Sequence, residues 1–174
     1  MNLDDEERIS SGINILWSAV SNKFYQEVLK NAENGMSPNN ISHIIKYSMN
    51  NGVTVVWMGD LESDFMENIK GELNLPRVDI LFASHHGRDS GKVPKELLDV
   101  MKPQIIIVGE APSENLHYYP DYNTITQNKA GDITFDCYEG EVHIYVSNEN
   151  YTVNFLNNKH KTAYSGYIGT LNLK

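Results

Sequence analysis

The chain has 174 residues, of which 40% are hydrophobic and 21% charged, a balance that argues against disorder and suits one domain with a single sizeable core. A formal charge of −9 works against undirected binding to nucleic acid, although a local basic groove or a bound divalent cation would offset it. No apolar run is long enough to cross a bilayer, and the start MNLDDEERISSG lacks the basic and apolar regions of a signal peptide, so a cytoplasmic protein without a membrane partner is expected.

In chain order, the acidic run Asp4-Asp5-Glu6-Glu7 reads as a solvated face, and residues 13–17 form a short apolar strand. Val20, Phe24, Val28 and Leu29 then recur at helical spacing up to Asn34-Gly35. Residues 41–49 and 53–58 flank the turn-forming Asn50-Asn51-Gly52, which predicts a β-hairpin. Leu61, Phe65, Ile69 and Leu73, four apart, predict a helix over 61–73 that ends before Pro76. A strand over 78–83, a proline-opened helix over 94–101 and a buried strand over 103–108 make the middle of the chain α/β. Residues 122–129 read as one more helix, and 132–138, 141–147 and 151–156 as an antiparallel meander. From Asn157 onward the composition suits a loose tail or an extra strand, and nothing divides the chain into more than one domain. Trp17, Trp57 and Phe82 sit on apolar segments and read as packing residues.

Cys137 is the only cysteine, so an intrachain disulfide and a cysteine-based zinc site are both excluded, and any metal must rest on His, Asp or Glu. Two apolar strands end in residues with ligand chemistry. The first runs into Gly59-Asp60, where the carboxylate could hold a cation or could simply cap a helix starting at Leu61. The second runs into Ser84-His85-His86-Gly87, where only one imidazole of the pair can face a given metal while the other serves substrate or packing, unless both are surface histidines of a polar loop. Asp79, at the start of that strand, is either exposed or orients a ligand histidine.

The order of these features resembles the second half of a metallo-β-lactamase-fold hydrolase of the competence-protein (ComEC) type. The resemblance rests on Asn39-Asn40-x-Ser42, the hairpin ending at Gly59-Asp60, Val78-Asp79-Ile80-Leu81 leading to His85-His86-Gly87, and Lys102-Pro103 before a buried strand. The asparagine-containing turn from Asn115 to Pro120 and the strand pair around Glu139-Gly140-Glu141 complete the pattern, which covers residues 13–147. It implies one half of an αββα sandwich, with Asp60 and His85 as metal ligands, His85 preferred over His86. It assigns His86 and His117 to substrate contact or proton donation, although Tyr119-Pro120 stands where relatives carry His-Pro and displaces His117 by two positions. The implied reaction is attack of a hydroxide activated by zinc or manganese on a phosphoester or nucleic-acid-like substrate.

The family's His-x-His-x-Asp-His motif is absent, since no two of His43, His85, His86, His117, His143 and His160 are separated by one residue. Asp60 and His85 fall short of the three protein ligands usual at a catalytic zinc. Half a sandwich would also leave an apolar sheet face uncovered, so the expected partner is an N-terminal half or a second copy of this chain. His43, inside a predicted hairpin strand, reads as packing, and His143 and His160 receive no functional role. A non-catalytic binding or assembly module that keeps the fold is the alternative. A nucleotide-binding domain is disfavoured, because no glycine-rich phosphate loop is present.

Overall fold

Two sheets stacked beneath one layer of helices carry the chain, which the computed structural model describes over residues 6–112, 114, 116–157 and 165–174. Asp4, Asp5, Asn115 and His160 lie outside the described residues. A short helix α1 (Glu6–Ser10) leads into β1 (Ile13–Trp17), α2 (Lys23–Glu33), β2 (Ile44–Ser48), β3 (Thr54–Trp57), α3 (Ser63–Ile69), β4 (Ile80–Phe82), α4 (Lys95–Met101) and β5 (Ile105–Val108). Then come β6 (Thr124–Thr126), α5 (Gln127–Ala130), β7 (Ile133–Tyr138), β8 (Glu141–Val146) and β9 (Tyr167–Asn172). The architecture is α/β, with a six-stranded mixed sheet in the order β1 to β6 and a three-stranded antiparallel sheet β7-β8-β9. No helix among the described residues is long and apolar enough to cross a membrane.

The central strands explain themselves by alternation, because successive side chains point to opposite faces. Val56, Leu81 and Ile106 share one face with Phe65, Met66 and Ile69 of α3 and Leu97, Leu98 and Met101 of α4. On the opposite face Val55, Ile80, Ile105 and Ile107 pack against Val142, Ile144 and Val146 of β8. Strands β3, β4, β5 and β6 are mutually parallel, so their carboxyl ends open on one rim. Parallel strands buried on both faces read as continuous apolar runs, as Ile105-Ile106-Ile107-Val108 does.

Several expectations are corrected. The predicted helix over 122–129 is instead strand β6 followed by the single turn α5, because Thr124-Ile125-Thr126 pairs in parallel with β5. Segment 151–156 forms no strand; β9, the extra strand that stood beside a loose tail as a reading of the chain beyond Asn157, completes the small sheet against β8. The hairpin strand starts at Ile44 rather than residue 41, since Asn39–Ile41 form a 3-10 turn, and His43 therefore precedes the strand. The helix over 61–73 begins at Ser63 and gives way to a 3-10 turn at Lys70–Glu72. The apolar face expected to be bare is covered by β7-β8-β9. The packing argument for a second half therefore falls away.

Candidate functional site

At the carboxyl ends of β3, β4 and β5 the two sheets part around a cavity of about 360 Å³. Its floor is a row set by the parallel register, Trp57 beside Phe82 beside Ile107. Its roof is Ile133 and Phe135 of β7, and its mouth holds Asp60, His86 and Gln127. Trp57 and Phe82 stack at 5.0 Å with an interplanar angle of 14°, and Phe135 meets Phe82 edge-on at 6.0 Å. Trp57 is 38% exposed and packs on Phe82 as a cavity wall rather than inside the core. Trp17, by contrast, is buried as expected, and Phe82 is part of the second core as well as of the floor.

Asp60 reaches the mouth through a tightly fastened turn. Gly59 has φ +61°, and a Cβ there would lie 2.6 Å from Ser42 Cβ and 3.0 Å from the His43 carbonyl oxygen, which only glycine avoids. The buried Ser84 hydroxyl donates to the Leu61 carbonyl at 2.6 Å and lies 3.2 Å from that of Gly59. Asp60 does not cap the following helix. The N-cap position is Glu62, whose carboxylate accepts from the side-chain amides of Asn39 and Asn40, both at 3.1 Å, while its N–H donates to Asn40 Oδ1 at 2.8 Å. The Asn39-Asn40 pair thus braces the turn from behind, and the Asp60 carboxylate holds no hydrogen bond or ion pair among the described residues.

The second turn is strained. His85 has φ 48° and ψ 45°, and His86 has φ 59° and ψ 11°, two successive left-handed residues with side chains, followed by Gly87 at φ +81°. Each costs roughly 1–2 kcal/mol relative to a right-handed backbone, and such strain concentrates at functional sites. The turn separates the two imidazoles. His86 is exposed at the cavity mouth, with Gly109 kept bare beneath it: a Cβ on Gly109 would sit 3.1 Å from His86 Cβ and Nδ1. His85 points elsewhere, its Nδ1 2.9 Å from Ser90 Oγ and its Cβ against Gly91. The cavity therefore joins Asp60 with His86, and the preference for His85 gains no support from it.

The remaining candidates are dispersed. His117 is exposed in the wall of a different cavity. Asp79 lies at the opposite, amino-terminal rim, where Oδ2 accepts from Thr54 N–H at 2.8 Å and Oδ1 from Gln104 Nε2 at 2.7 Å. It ties three strands together and orients no histidine. His43 pairs with Ser18 Oγ at 3.3 Å, and His143 is buried in β8 with Nε2 3.1 Å from Glu141. Sequence reasoning missed Gln127 and Phe135; the available signal for Phe135 was its inward position in an alternating strand.

A carboxylate and an imidazole are donors that zinc and manganese accept. Two are too few, and no group of three or more His, Cys, Asp or Glu able to hold a metal occurs among the described residues. The chain's described residues alone do not fit a complete catalytic metal set. No protein-family model and no curated protein matches the chain.

Proposed function

We propose that the chain is a metal-dependent hydrolase module of the metallo-β-lactamase type, directed at phosphoesters or nucleic-acid-like substrates, in which Asp60 and His86 supply part of the metal set. One observation carries the reading: a carboxylate without a partner among the described residues and a strained, outward imidazole are delivered to one cavity by the carboxyl ends of adjacent parallel strands. The remaining ligands come from outside the described residues, on an N-terminal-type half or a second copy of the chain. Coordination number now supports that partnership, since surface coverage does not.

The test is zinc and manganese binding by isothermal titration to the full chain, alone and with an N-terminal-type half bearing the remaining ligands, together with hydrolysis of a generic phosphodiester by the combined halves. Saturable binding that Asp60→Asn and His86→Ala each weaken about tenfold, with His85→Ala close to the parent, is the expected result. Equal affinity in all four proteins overturns it.

A second reading, a non-catalytic binding module, is favoured by the cavity's walls. Trp57, Phe82, Ile107, Ile133 and Phe135 give it the apolar lining of a small-molecule pocket. Binding of a ligand without turnover, unaffected by chelator, would support this reading over the first.

A further inference from the structure

The aromatic cavity holds apolar surface back from the core. Ile144 and Val146 of β8 are buried, whereas Phe135 and Ile133, directly opposite them on β7, are only half-buried, and Trp57 across the cavity is 38% exposed. The polar side-chain groups of the lining are those of Asp60, His86 and Gln127 at the mouth and the Trp57 indole N–H. Water against such walls finds few partners and is displaced favourably by an apolar body.

Two features select that body. The first is ring geometry. Trp57 and Phe82 lie nearly parallel, at 14°, and Phe135 stands at 76° to Phe82, so the ring surfaces meet at a corner. A flat ring set in that corner stacks on one surface and meets the other edge-on, the two arrangements that aromatic pairs prefer. The second is charge. Among the described residues the lining has one carboxylate and no lysine or arginine, in a chain of net charge −9. An anionic body is therefore repelled, and a neutral one that ends in a hydrogen-bond donor is matched.

We propose that this cavity binds a neutral, flat aromatic molecule with a donor at one end, a phenol of one or two rings. The ring fills the corner between Trp57, Phe82 and Phe135, and the hydroxyl stays at the mouth and donates to the Asp60 carboxylate. About 360 Å³ stands at the small end of the range of ligand sites. A nucleobase suits the cavity less well, because these walls would leave several donors and acceptors on its edge unpaired. The inference rests on the binding reading of this cavity and needs no metal.

The experiment is a titration of the full chain, in the presence of chelator, with 2-naphthol, phenol, cyclohexanol and adenosine, followed by amide chemical shifts and calorimetry. 2-Naphthol is expected to saturate with a Kd below roughly 1 mM and shifts centred on Ala83, Gly109 and Phe135. Phenol should bind about tenfold more tightly than cyclohexanol, which matches it in size but has no ring face, and adenosine at least about tenfold more weakly than 2-naphthol. Trp57→Leu and Phe135→Leu should each weaken 2-naphthol by about fivefold, with Tm measured in parallel; the partly exposed Trp57 is the position where the fold has least at stake. Asp60→Ala should weaken phenol by about tenfold. Cyclohexanol equal to phenol, adenosine equal to 2-naphthol, or parental affinity for 2-naphthol in the folded leucine variants overturns the inference and leaves the binding reading standing. Parental affinity for phenol in Asp60→Ala overturns the placement of the hydroxyl. Absence of saturable shifts in the cavity with every probe overturns the inference and the binding reading together, while the zinc titration decides the metal reading separately.

Discussion

The His85 N–H donates to the Gly59 carbonyl oxygen at 2.9 Å. That bond joins the exit of β4 to the exit of β3, so the turn presenting His86 and the turn presenting Asp60 move as one piece. Ser84 reinforces the joint from the buried side. Preorganisation of this kind matters for a metal or substrate site, where small misplacements of a donor are expensive.

The left-handed backbone at His86 predicts a trade between stability and ligation. His86→Gly should raise unfolding stability by about 0.5–1 kcal/mol in urea, since glycine accepts φ 59° without a side-chain penalty, while its own entropy offsets part of the gain. Zinc affinity should fall in the same variant. A loss of stability would show that the imidazole's contacts outweigh the strain.

Asp79 predicts the opposite pattern. Asp79→Ala should cost roughly 2 kcal/mol by leaving Thr54 N–H and Gln104 Nε2 without their acceptor, and should leave metal affinity unchanged because the residue sits at the far rim. Denaturant titration and calorimetry on the same preparation check both halves.

Tyr119 sets an alkaline limit. Burial pushes its phenol up to about 12, only partly countered by the Val93 N–H that donates to its oxygen at 3.1 Å. The unfolded chain loses that proton near the ordinary value of 10 and the folded chain only near 12, so between those pH values the unfolded state binds fewer protons. Stability from this group is fully present below pH ~10 and falls as pH rises toward ~12, by about 2–3 kcal/mol in all. Tyr119→Phe should flatten that part of the pH profile, measured by thermal unfolding, at the cost of an unpaired Val93 N–H.

Most of the six-stranded sheet was legible in the chain because β3, β4 and β5 are apolar, buried on both faces and bounded by turn residues. What escaped was decided by pairing at a distance. Tyr151, Val153 and Phe155 alternate with exposed Thr152 and Asn154 because they pack against the second core, and they do so without a ladder partner. β9 carries Gly169 and follows Gly166, so its composition leaves tail and extra strand equally open, and the edge that β8 offers decides for the strand. Thr124-Ile125-Thr126 is too short to show a period at all. At the site, the convergence of Asp60 with the histidine pair followed from parallel strands ending together. The choice between the imidazoles did not, because two successive left-handed residues cannot be read from side-chain chemistry. Trp57 continues the apolar run of Val55-Val56, but at the end of β3 it lines the cavity and is 38% exposed.

The exposure of Trp57 has a practical consequence. The chain contains two tryptophans, one 3% exposed beside Phe65 and the other 38% exposed in the cavity wall. Intrinsic fluorescence therefore divides into a shielded component from Trp17 and a quencher-accessible one from Trp57. Iodide quenching of the accessible fraction would report occupancy of the aromatic cavity directly, without a label or a turnover assay, and Trp17 would serve as the internal standard in the same cuvette.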